Sequence, residues 1–303
     1  MDEGKYGWMR RIAETARALF WVLAVLGVLF GLTQVLGRRG VDKARDDLVR
    51  SFEQERQSRV VALIHRQDDV SLFGVPVSSH ISIEDSEAVL RAIRLTPPEQ
   101  PIDLILHTPG GLVLAAEQIA KALVEHKGKV TVFVPHYAMS GGTLLALAAD
   151  EIVMDANAVL GPVDPQIGGM PAGSIVKLLA FKRPPQISDE MLILADMAQK
   201  ARLQVVSFVA QVLLKHLPEK KAVELATLLS EGRWTHDFPL TVQAVQQFGL
   251  NVSTAMPRKV YDLMELYPQG GGGRPSVLYV PVRRGSDQPR QATDSPAPRP
   301  PAK

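Results

Sequence analysis

The sequence predicts an α/β domain built on a parallel sheet with helices on both faces, preceded by one membrane-spanning helix. Three observations carry this prediction. Short runs such as PIDLILH and VTVFV are nearly continuously apolar, as strands buried on both faces are. Helix-forming stretches alternate with those runs. One uncharged run, ALFWVLAVLGVLFGLTQVL at residues 18–36, has the length a bilayer crossing needs.

The elements follow in chain order. Residues 1–17 form an N-terminal segment that places Arg10, Arg11 and Arg17 before the apolar run, and Arg38, Arg39, Lys43 and Arg45 follow it. A cleaved signal peptide has a shorter apolar core and a small-residue cleavage site, so the run reads as a single-pass anchor rather than a removed leader. Slightly more Lys and Arg lie after the span, which assigns the rest of the chain to the cytoplasmic side. Residues 37–57 are charged and helix-prone, a connector. Between residues 58 and 268 lies the main domain. RVVALIH is its first strand, and SIEDSEAVLRAIRLT is an acidic-started helix with Ser82 as cap. PIDLILHTPGG is a strand ending in a glycine turn, and LVLAAEQIAKALVEH is the helix after it. VTVFVPHYA, the small-residue helix TLLALAA, then EIVMD and AVLGPVD continue the alternation. A long helix at 188–216 and a shorter one at 241–248 complete it. Residues 269–303 are a Gly/Pro/Arg-rich tail, expected to be disordered apart from SVLYVPV, a candidate edge strand.

Composition narrows the chemistry. The 303 residues are 46% hydrophobic and 22% charged with net charge +2, too balanced to argue for a nucleic-acid partner. With no cysteine, disulfides, thiolate catalysis and Cys-ligated metal are excluded. No H-E-x-x-H or comparable spacing occurs, so neither a metal nor another cofactor is expected.

In parallel sheets reactive groups gather where strands end and helices begin. Two such ends carry glycine turns: Thr108-Pro109-Gly110-Gly111 and Ser140-Gly141-Gly142. Adjacent parallel strands would put both on one edge, with the amides of Gly111 and Gly141 aimed at one small volume, as an oxyanion hole requires. Neither turn has the G-x-x-x-x-G-K-S/T or G-x-G-x-x-G spacing of a phosphate cradle. Ser140, at the head of a helix, reads either as an N-cap or as a nucleophile. His107 is expected to be structural, His136 and Tyr137 to shape the strand end, and Trp234 and Phe238 to pack the loop around His236. His65 has no assigned role.

HTPGG followed one strand later by YAMSGG resembles the Clp protease/crotonase fold. The longer run HTPGGLVLAAEQIAKAL, VPHYAMSGGTLLALAADEIVMDANAVLGPVDPQIG and THDFP is similar to the serine dehydrogenase proteinase family, membrane-anchored relatives of signal peptide peptidase A. The resemblance covers residues 58–250 and the apolar span. It implies a Clp/crotonase-like fold and a serine endopeptidase with Ser140 as nucleophile. It also implies a peptide or protein substrate and assembly into a homo-oligomer. The base stays open between two residues. A reordered triad would run Ser140, Asp164, His236, with Asp164 in GPVDPQIG where Clp-type proteins carry histidine. A Ser–Lys dyad would use Lys200, although Asp196 four residues earlier offers it an ordinary helical ion pair. Lys177 and Lys182 fit a buried base less well. Two other functions compete: a catalytically inactive membrane scaffold on the same fold, and a crotonase-like acyl-CoA enzyme, which has no need of a serine at the Ser140 turn.

Overall fold

A single helix, α1 (Gly4–Arg56), runs unbroken through the apolar span and the charged connector. This computed structural model describes residues 4–65, 71–72, 75–76 and 80–267; the tail with SVLYVPV lies outside the described residues. Within α1, Glu14–Gly31 is long and apolar enough to cross a membrane, and none of it is buried against protein. The helix ends at Gln57, which takes a left-handed φ of 52°, and the chain then enters the first strand.

That strand is β1 (Arg59–Ile64). A small antiparallel pair, β2 (Ser71–Leu72) and β3 (Val75–Pro76), follows it. Helix α2 (Ile83–Leu95) starts on a capping box in which Ser82 and Asp85 satisfy each other's backbone N–H groups. Next come β4 (Ile102–His107), α3 (Val113–Glu125), β5 (Val130–Val134), β6 (Tyr137–Ala138), α4 (Gly141–Leu147), β7 (Glu151–Met154) and β8 (Val159–Leu160). A hairpin of β9 (Gln166–Ile167) and β10 (Met170–Pro171) leads into α5 (Ala172–Phe181). The long α6 (Asp189–Leu213), capped by Ser188, is followed by α7 (Glu219–Ser230), β11 (Leu240–Thr241), α8 (Val242–Gln247), β12 (Val252–Ser253) and α9 (Arg258–Glu265).

The main sheet has the order β1–β4–β5–β7–β12, with every pair parallel. Its central strands, β4 and β5, are buried at every position, which is why their sequences are mostly apolar rather than alternating. Alternation decides which face each residue serves. Leu104, Leu106, Val130 and Val132 join the larger core with α3, α4, α6 and α7. Ile105, Phe133 and Val153 point the other way, onto Phe52 of α1 and Val260 and Leu263 of α9. Phe52 meets Phe133 edge-on, with ring centroids 5.7 Å apart.

The run VTVFVPHYA divides into two strands. Pro135 has no N–H for the ladder, so the main-sheet strand stops at Val134. After Pro135 and His136, β6 pairs instead with β8, which in turn pairs with β11, making a separate three-stranded sheet of two-residue strands. The tip of β4 reaches it through a bridge between Thr108 and Ala138.

One polar contact ties α1 to the sheet. Asp103, on the second face of β4, is 1% exposed. Its carboxylate accepts from Arg56 Nε and Nη2 and, at 2.6 Å, from the Ser58 hydroxyl. Arg56 also lies over the Phe133 ring, 5.0 Å from its centroid. Removing the cation strands a buried carboxylate, so Arg56→Ala is expected to destabilise the fold by about 3–5 kcal/mol. Urea unfolding of the full chain measures this; a loss below about 1 kcal/mol would show that the pair does not hold α1 to the sheet.

Candidate active site

The two glycine turns touch. Gly110 has φ 106°, and a Cβ there would lie 2.7 Å from the Cβ of Ser140 and 3.2 Å from the amide nitrogen of Gly141. A Cβ on Gly111 would fall 2.3 Å from the Ile81 backbone, because Ile81 bridges to Gly111 as in a parallel ladder. In that bridge Ile81 donates to the Gly110 carbonyl (2.7 Å) and accepts from Leu112 (2.9 Å). The flanking residues supply the hydrogen bonds of the bridge, and the Gly111 nitrogen is 3.7 Å from where a Gly141 Cβ would be.

A polar chain buttresses the first turn. The Thr108 hydroxyl oxygen accepts from Gly110 N–H at 3.1 Å and lies 2.7 Å from His65 Nδ1, while His65 Nε2 meets Asp85 at 3.3 Å. A carboxylate only accepts, so His65 Nε2 carries the proton and Nδ1 accepts from Thr108. Burial lowers the pKa of His65 from its ordinary value, which favours this neutral form. The residue left without a role by the sequence thus holds the turn from below.

Ser140 occupies the N-cap of α4 with φ 52° and ψ −117°, yet its hydroxyl makes no capping hydrogen bond. A non-glycine residue in that region costs about 1–3 kcal/mol, and the neighbouring contacts enforce it. The sharp strand-to-helix turn presents the side chain outward, as in a nucleophile elbow.

Asp164 and His236 come from loops at the same end of the small sheet, because β8 and β11 are antiparallel neighbours. Asp164 follows β8 and has a fully buried side chain; His236 precedes β11. Their contact is 2.7 Å, between Asp164 Oδ1 and His236 Nδ1, and Gln166 Nε2 donates to Asp164 Oδ2 at 2.6 Å. With the carboxylate accepting at Nδ1, the ring's other nitrogen, Nε2, keeps its lone pair. The hydrogen bond from the imidazole to Asp164 raises the pKa of His236 from its ordinary value, outweighing the opposing effect of burial. Trp234 and Phe238 stack at 5.1 Å on either side of the histidine in sequence.

Ser140, Gly111, Gly141, Asp164 and His236 all line one cavity of about 250 Å³. Lys200 does not line it. It projects from α6 with its side chain 69% exposed and pairs with Asp196 at 2.6 Å, the ordinary helical pair. Lys177, on α5, and Lys182, just past its end, are also absent from the cavity wall. His107 is fully buried with its ring 4.2 Å from that of Tyr137, a packing role. Two polar wall residues escaped the sequence reading. Gln166 follows Asp164 by two positions in an irregular loop, and Glu117 looks like the solvent face of an amphipathic helix.

Fold and cavity define a ClpP-like α/β protein with a serine at the head of a buried helix. The chain belongs to the family described as ClpP-like SDH-type serine proteinase, whose sequence profile it matches over residues 9–294. Two uncharacterised proteins of Methanocaldococcus jannaschii are similar to it. One is 52% identical over 268 residues, 88% of this chain and 91% of the relative. The other is 56% identical over 238 residues, 78% of this chain and 83% of the relative. Among solved structures, a serine-to-alanine mutant of the 1510-N membrane-bound stomatin-specific protease superposes with TM-score 0.42 at 16% identity, covering 68% of this chain and 82% of that one. The family expected from the motifs is therefore the family found.

The direction of the His236 shift makes a prediction. In the folded protein its imidazole should titrate above the ordinary value of about 6.5. Asp164→Asn removes the negative charge that favours the imidazolium and leaves the burial, so the midpoint should fall. NMR titration of the ring resonances reads both values, and a midpoint unmoved by Asp164→Asn would detach the shift from this pair.

Proposed function

We propose that this chain is a membrane-anchored serine peptidase that hydrolyses peptide bonds through a Ser140 acyl-enzyme. The observation that carries the reading is the Asp164–His236 hydrogen bond in the same cavity as a serine hydroxyl left free of capping. His236 Nε2 takes the proton as Ser140 Oγ attacks the substrate carbonyl carbon. The Gly111 and Gly141 amides receive the oxyanion that forms. The tetrahedral intermediate collapses, the peptide bond breaks, and the imidazolium returns the proton to the departing amine. Water, deprotonated by the same histidine, then attacks the ester and releases the acid. Asp164 keeps the proton on Nδ1 throughout, and Gln166 holds Asp164 by its second oxygen. His236 is preferred to Lys200 because a base must be neutral and within reach, and an exposed ammonium paired with a carboxylate meets neither condition.

Ser140→Ala should abolish labelling by a fluorophosphonate probe and lower peptide hydrolysis by about 10⁶-fold. Asp164→Asn should lower it by about 10⁴-fold, and Lys200→Ala should change it by no more than about twofold. Because the base acts when neutral, the rate should rise with pH through the raised pKa of His236. Full hydrolysis by Ser140→Ala would end the peptidase reading, and a collapse in Lys200→Ala would move the base.

The apolar part of α1 supplies the anchor in this reading, with the peptidase domain on the cytoplasmic side, and the domain works as a homo-oligomer. Full-length protein in membranes should resist extraction by alkaline carbonate, whereas a chain beginning after residue 39 should be released. Extraction of the full-length chain by carbonate would remove the anchor.

A further inference from the structure

A carboxylate stands in the wall of the otherwise mainly apolar cavity beside Ser140. Glu117, on α3, lines both that cavity and a second, of about 810 Å³, that continues from it along α6. Its neighbours there are Val113, Ala116, Val205, Phe208 and Val209. Glu117 is half-buried, and among the described residues no hydrogen bond or ion pair engages it. The nearest cation on its own helix, Lys121 one turn on, is paired with Glu125 at 3.8 Å. Loss of hydration raises the pKa of Glu117, with no cation to oppose the effect.

An unpaired carboxylate in a cavity wall of aliphatic and aromatic carbon is complementary to one class of side chain. A long methylene stem lies against the apolar wall and a cation at its tip meets the acid. Lysine and arginine have this form; leucine and phenylalanine would leave the acid dehydrated and unpaired, and acidic side chains would be repelled. We propose that Glu117 makes this cavity a subsite for lysine or arginine at the residue whose carbonyl Ser140 attacks. The inference rests on the peptidase reading and adds a substrate class to it.

The test uses the full-length protein and fluorogenic peptides that differ only at the residue preceding the scissile bond, carrying lysine, arginine, norleucine or glutamate. Wild-type kcat/KM should favour lysine and arginine over norleucine by about ten- to a hundred-fold, the range of a charge-assisted hydrogen bond. Glu117→Gln should remove most of that ratio, and Glu117→Lys should turn the preference towards glutamate. Fluorophosphonate labelling of wild-type Ser140 separates the two levels. If the wild type is neither labelled nor active on any peptide, the peptidase reading fails and the subsite with it. If it is labelled and active but ignores charge at this residue, or if the preference survives intact in Glu117→Gln, the subsite alone is overturned.

Discussion

The contact between the Gly110 turn and the Ser140 turn is the constraint on which the rest of the site depends. It brings backbone to within the space of a missing side chain: a single methyl at residue 110 would come within 2.7 Å of the serine's own Cβ. Because the first turn is pinned to Ile81 on one side and to Thr108 on the other, it cannot retreat, and the second turn must conform to it. The positive φ of Ser140 is thus imposed by its surroundings rather than chosen by its sequence. Two hydrogen bonds between Thr108 and the β6 segment, from Thr108 N–H to Tyr137 and from Met139 N–H to Thr108, fix the spacing of the turns. The proposed oxyanion amides and the proposed nucleophile are therefore placed by one piece of backbone geometry.

The acid–imidazole pair is placed by different means. The Asp164 side chain is fully buried, and its two oxygens are met by one histidine and one glutamine. Burial with both acceptors in use holds the imidazole in one orientation, which a solvated aspartate would not. The reversed order of acid and base along the chain is compatible with this, since the two loops sit at the same end of adjacent strands and either could carry either group.

Much of this was legible in the sequence, and the limits have physical causes. β4 and β5 were legible because strands covered on both faces cannot hide their composition. Ser82 was legible as a cap because a capping box is a local device, and the two glycine turns because they end apolar strands. The division of VTVFVPHYA at Pro135 was written in the chain but is easily read through, since β-branched residues continue on the near side and aromatic ones on the far side. The choice between His236 and Lys200 was not legible. Both satisfied a spacing, and only burial and pairing separate a half-buried imidazole on an aspartate from an exposed ammonium on a helix. Asp103 inside DLILH gave no sign that an arginine from the preceding helix would neutralise it. Nor did Glu117 stand out, because a glutamate at the edge of an Ala/Leu-rich helix normally faces water.

The short three-stranded sheet has a consequence of its own. β6 leads into Ser140, β8 leads towards Asp164 and β11 follows His236, so the whole proposed triad hangs from three strands of two residues each. Such strands carry few amides and little buried surface compared with the five-stranded sheet beside them. Opening of this layer is a sub-global event, which amide exchange would record at far lower free energy than unfolding of the main sheet. In the proposed reading, the main sheet can therefore stay folded while the three proposed catalytic residues are apart. Anything that braces β8 from outside, a bound peptide or a neighbouring subunit, would act as an on-switch without touching a reacting atom.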